Sequence, residues 1–218
     1  MFESVWKRTE VTGATVSPRV YNLIIGLVLC WGFGVNYLMV RYIPTEAIMQ
    51  IHPIALIVGY FVSCIVGTLI YTKSDNPVVS FIGYNFVVVP FGLIVNLAVS
   101  RYSPDLVLQA IQVTGIVTAI MMVLATLYPA FFFKIARGLF VALIIVIIVE
   151  LVAVFVFNAH HEIIDWAVVL IFCGYIGVDW ARANAIPKTV DNAVDSAAAL
   201  YMDIIILFLR LLRILGRR

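Results

Sequence analysis

A chain of 218 residues that is 64% hydrophobic and 12% charged, with a mean hydropathy of +1.10, lies far from soluble domains, which are about half apolar and a quarter charged. Its net charge is only +2 and it has no long Lys/Arg run, which excludes a nucleic-acid binder and leaves a polytopic membrane protein in contact with a lipid bilayer. Three cysteines, Cys30, Cys64 and Cys173, lack CxxC spacing and lie in apolar segments, so they read as small buried hydrophobes.

Residues 1–19 are polar and mixed in charge, and 20–218 read as a single transmembrane domain. The first apolar run is too long for a signal-peptide core and lacks a small-residue cleavage site, so it should remain as a helix. This first span, 20–40, contains Asn22, Asn36 and several glycines suited to close helix contact. Pro44 breaks the chain, and a second span, 53–71, ends at the turn signal Thr72 to Pro77. The third, 78–100, carries Asn85, Pro90 and Asn96; Pro90 should kink it, because proline has no N–H and its ring clashes with the preceding turn. In the fourth, 106–127, Gln109, Gln112, Thr114, Gly115 and Thr118 form a small polar stripe for helix packing.

Residues 128–137, YPAFFFKIAR, read as a loop with aromatic anchors and two cations. The fifth span, 138–157, is apolar except for Glu150, and the sixth, 163–182, ends in GYIGVDWARA around Asp179. Between them His160, His161, Glu162 and Asp165 cluster in a connection; HEIID lacks the second His of HExxH, so a solvated loop is expected rather than a metal site. No nucleophile and base constellation and no phosphate or nucleotide fingerprint is present, so neither an enzyme nor a cofactor is expected.

The last helix, 193–216, places Asp203, Arg210 and Arg213 among apolar residues. A charge facing lipid there costs about 2.5–3.5 kcal/mol, so this helix should be surrounded by others. The expected fold is an all-α bundle of seven hydrophobic helices with the C-terminal helix central. Asp203 and Arg210 share one face, about 10 Å apart along the axis. Asp179 and Asp203 lie on helices joined by a short linker, which could bring them together as a proton-sensitive pair, since two carboxylates at low dielectric do not both ionise cheaply. The alternative is Asp179 in interfacial water, with Asp203 in a structural ion pair with Arg210. Glu150 is either an intramembrane proton or cation group on an ion pathway or a packing contact. With the N-terminus cytoplasmic, that side holds Lys7, Arg8, Arg19, Lys73, Lys134, Arg137, Arg182 and Lys188 against Arg41 and Arg101, which favours that orientation. A full crossing by the last helix would put Arg210, Arg213, Arg217 and Arg218 on the other side, eight cations against six, whereas a last helix that stays within the bundle gives twelve against two, and charge counting alone does not choose between them.

The run Leu200, Tyr201, Met202, Asp203 through Leu211, Leu212, Arg213, Ile214, Leu215 and Gly216 resembles the signature of the transmembrane Bax inhibitor motif family. Gly174, Tyr175 and Val178 before Asp179 resemble its sixth-segment motif, with Trp180 and Ala181 where the family has Thr and Gln. The resemblance implies a pH-sensitive calcium leak in which Asp179 and Asp203 bridge through a shared proton, with Ca2+ passing near them as the transported ion. In bacterial relatives a second-segment arginine latches the sixth-segment aspartate. Here the second segment has no arginine, so Lys73, Arg210 and Arg213 are the candidate latch or ion-pair partners. Other members regulate cell death or a membrane protease, which implies as the alternative a non-conducting protein with a membrane partner. Short loops and the absence of a retention signal lean toward a bacterial cell membrane.

Overall fold

The computed structural model describes residues 14–156 and 162–217. Among them are eight α-helices: α1 (Pro18–Tyr42), α2 (Thr45–Met49), α3 (Pro53–Lys73), α4 (Pro77–Val99), α5 (Pro104–Leu127), α6 (Pro129–Phe155), α7 (Glu162–Ala185) and α8 (Val190–Leu215). No strand occurs among the described residues, only a bridge between Thr15 and Thr189. Six helices, α1 and α3 to α7, are long and apolar enough to cross a membrane, which fits a multi-pass membrane protein. The 26-residue α8 is not one of the six, and it carries Asp191, Asp195, Asp203, Arg210 and Arg213.

Proline sets most of the boundaries. Pro18, Pro53, Pro77, Pro104 and Pro129 each open a helix, where the missing N–H has no intrahelical partner to lose. Ser17, His52, Asn76 and Ser103 cap four of these starts through their side chains.

Several expectations change. Residues 129–137 are not a loop: no residue after Pro129 interrupts the helical run, so α6 is continuous over 27 residues. Phe132, expected as an interface anchor, is buried against Val178 and Ala181 of α7. Asp165 is not in a solvated loop but in the first turn of α7, and it is buried; Glu162 starts that helix, while His160 and His161 lie outside the described residues. Cys30 is exposed and Cys64 and Cys173 are half-buried, so none is a core residue. Of the stripe on α5, Thr114 and Thr118 are buried, whereas Gln109, Gln112 and Gly115 are exposed.

The chain forms two compact units, residues 1–101 with 185–201, and residues 102–184 with 202–218; α8 is one uninterrupted helix shared between them. In the first unit α4 packs on α1 and α3. Gly67 and Gly83 meet where α3 crosses α4: a Cβ on Gly67 would stand 2.5 Å from the Gly83 carbonyl oxygen, so only glycine permits this approach. Asn96 donates to the carbonyls of Met39 and Ile43 and accepts from Thr45, tying off orphan carbonyls where α1 ends. Tyr21 meets Ser196 and the Asn192 carbonyl at the start of α8, with Lys188 4.7 Å above its ring. Burial pushes the Lys188 ammonium below its ordinary pKa, and the ring offsets part of the lost hydration.

Pro90 lies inside α4 and supplies no N–H to the Phe86 carbonyl one turn earlier. The Ser63 hydroxyl of α3 donates to that carbonyl at 2.6 Å, a substitution by a neighbouring helix that apolar surroundings demand. Ser63→Ala is expected to destabilise the protein by about 1–2 kcal/mol, and the loss should largely vanish in a Pro90→Ala background, where residue 90 regains its own donor. Unfolding of the four proteins in mixed micelles measures this; an undiminished loss in the Pro90→Ala background would refute the assignment.

Candidate functional site: a carboxyl pair and an arginine network on α7 and α8

In the second unit α7 presents small residues to α6. A Cβ on Gly174 would collide with Leu139, and one on Gly177 with Phe132, so glycines at this spacing let α7 approach closely. The opposite side of α7 faces α8 and carries the carboxylates.

Asp179 and Asp203 are brought together. They are 8% and 7% exposed and lie within hydrogen-bonding reach of each other. Two ionised carboxylates only accept hydrogen bonds, so direct contact between them requires one proton. Arg182, one turn beyond Asp179, donates to its Oδ1 at 3.3 Å, and Tyr175 stands near both carboxyls. Asp203 Oδ2 is buried without a hydrogen-bond partner. The guanidinium beside Asp179 is that of Arg182 on the same helix, whereas Lys73 closes α3 in the first unit. The i, i+3 spacing of Asp179 and Arg182 is the sequence signal that could have identified it.

Arg210 and Arg213 turn to a second cluster. Arg210 donates to both oxygens of Glu150, each at 2.7 Å, and to Asp165 Oδ1 at 2.8 Å. Arg213 donates to the same Oδ1 at 3.1 Å, and Arg217 Nη2 lies 3.0 Å from Asp165 Oδ2 without a hydrogen bond to it. Asp165, with a side chain 2% exposed, is therefore the hub of three guanidiniums, a role that its place in HEIID concealed. Arg210 and Arg213 lie three residues apart on one face of α8, and Arg217 follows in the turn after Leu215, so a single carboxylate from α7 reaches all three. No group of three or more His, Cys, Asp or Glu residues placed to hold a metal occurs among the described residues.

Removing one partner of a buried ion pair leaves the other charge uncompensated, at a cost of about 3–5 kcal/mol. Asp165→Ala should therefore destabilise the protein by about that much, and Glu150→Gln by roughly 1 kcal/mol, because the amide still accepts from Arg210. Glu150→Lys, which sets a cation against Arg210, should fall closer to Asp165→Ala. Resistance of the purified full chain to thermal unfolding ranks the three; equal small losses for all would mean that the network carries no structural load.

The family described as "Inhibitor of apoptosis-promoting Bax1" matches residues 14–218. A Schizosaccharomyces pombe protein named Bax inhibitor 1 is 28% identical over 173 residues, 77% of this chain and 64% of that protein. Uncharacterized proteins of Helicobacter pylori strains J99 and 26695 are each 27% identical over 124 residues, 56% of this chain and 53% of theirs, so the match spans about half the length of these relatives. With helices fit to span a membrane and a family match over nearly its whole length, the chain belongs to the Bax inhibitor-1 family.

Proposed function

We propose that this protein is a pH-sensitive calcium leak of the membrane, gated by Asp179 and Asp203. The observation that carries the reading is the contact of two buried carboxyls on neighbouring helices, one of them with an oxygen left without a hydrogen bond. A carboxyl pair that shares a proton fastens α7 to α8 only while that proton is present, and its oxygens are of the kind that Ca2+ takes as ligands. Calcium as the transported ion rests on the family resemblance. Glu150 belongs in this reading to the frame, since Arg210 occupies both of its oxygens.

The proposed architecture is seven crossings in a bacterial cell membrane, with the N-terminus cytoplasmic and α8 as the shared inner helix. What supports a seventh crossing is the length of α8, about 39 Å at 1.5 Å per residue, and the contact of its last turns with the end of α6 and the start of α7. On this reading the tail arginines reach the far side, where Glu150 and Asp165 neutralise two of the charges that the bias of Lys and Arg toward the cytoplasm would hold back. A tag after Arg218 should then be accessible from the side opposite to one at the N-terminus, and labelling both from the same side would overturn the seventh crossing.

The gate is tested by calcium flux into proteoliposomes holding only this protein, from about pH 5 to 8. Wild-type flux is expected to change as the shared proton is lost with rising pH. Asp179→Asn and Asp203→Asn should each flatten that dependence, because an amide bonds without titrating, and the double variant should add nothing further. An unchanged pH profile in either single variant would refute the shared-proton gate. The absence of calcium flux in the wild type at every pH would favour the non-conducting interaction protein.

A further inference from the structure

The arginine cluster at the end of α8 has more donors than its carboxylates can use. Three guanidiniums offer about fifteen N–H groups. Four hydrogen bonds to Glu150 and Asp165 draw on Nη1 and Nη2 of Arg210 and on Nη1 of Arg213. Among the described residues Arg217 is held by proximity to Asp165. The cluster carries one positive charge more than negative, and that surplus lies on its outer members: the side chains of Arg213 and Arg217 are 41% and 31% exposed, against 17% for Arg210. Arg210 is locked below by its two carboxylates, while the two outer guanidiniums open toward the surroundings.

Those surroundings are apolar. On α6, Ile147 is exposed one turn before Glu150 and on the same side, and Ile148, Leu151, Val152 and Phe155 continue the exposed apolar surface round the helix, as Ile163 does at the start of α7. A surplus cation at the end of two membrane-fit helices that expose aliphatic surface calls for a ligand with an anionic head and an apolar body. We propose that Arg213 and Arg217 bind the phosphate of an anionic phospholipid whose acyl chains lie along the exposed side of α6. The guanidinium fork suits phosphate oxygens, and Asp165 holds both arginines in place by contacts that leave most of their donors outward. The site is separate from the Asp179–Asp203 pair, so it stands whether or not the protein conducts calcium.

The test is native mass spectrometry of the full chain released from detergent, with dioleoylphosphatidylglycerol, dioleoylphosphatidylcholine or inorganic phosphate added singly. Each arginine near an anionic lipid contributes about 1 kcal/mol, so phosphatidylglycerol should be retained roughly thirtyfold better by wild type than by Arg213→Gln/Arg217→Gln. Arg217→Gln alone, which leaves Arg210 and Arg213 on Asp165, should retain an intermediate amount and lower the unfolding temperature far less than Asp165→Ala, which separates loss of the site from loss of the fold. Phosphatidylcholine should bind weakly and equally to all three proteins. Equal retention of the two lipids by wild type, or undiminished phosphatidylglycerol in both variants, would overturn the proposal. Thermal stabilisation by inorganic phosphate equal to that by phosphatidylglycerol would overturn the lipid in favour of a site for a free anion.

Discussion

The charges that α8 carries must be met by partners, because a guanidinium or carboxylate without one is costly wherever water is excluded. Asp191 accepts from Ser80 at 2.6 Å, Asp203 meets Asp179, and Arg210 is gripped by Glu150 and Asp165. These contacts decide which helices can lie beside α8 and in what register. A slip by one residue would turn Arg210 and Asp203 away from α7 by about 100°. Aliphatic packing alone would tolerate such a slip far better. Buried ion pairs add little net stability over apolar residues of the same shape, but breaking one is expensive, so they select one arrangement over its neighbours.

The two polar clusters divide the α7–α8 contact into ends of different character. Asp165 and Asp179 stand 14 residues apart on α7, about 21 Å. At the Asp165 end, permanently charged guanidiniums meet carboxylates in direct ion pairs. At the Asp179 end, two buried carboxyls face each other.

The first unit shows how the fold handles backbone polarity in apolar surroundings. The carbonyl freed by Pro90 takes the hydroxyl of Ser63, and Asn96 satisfies carbonyls at the end of α1. Tyr201 of α8 accepts from Asn36 at 2.5 Å within a group of rings that includes Phe33, Tyr84 and Phe91. Each polar group in this set is satisfied by a different helix from the one that carries it, and between α3 and α4 Gly67 and Gly83 bring the backbones close.

The class and most of the helix boundaries were legible in the amino-acid order: composition demanded a membrane protein, and the prolines that open five helices mark where apolar runs begin. That order singled out Asp179 and Asp203 because carboxylates in apolar helices joined by a short linker have few places to go. It also marked Glu150, Arg210 and Arg213 as costly residues in need of partners. Which carboxylate answers which arginine was decided only by the tertiary structure, since a pairing between helices depends on their rotation and register, and neither is written in any one segment. Asp203 and Arg210 share a face by spacing, yet Arg210 pairs with Glu150 and Asp165. Asp165 looked like a loop residue because its neighbours His160, His161 and Glu162 are polar; the helix that begins at Glu162 turns it inward, under three guanidiniums.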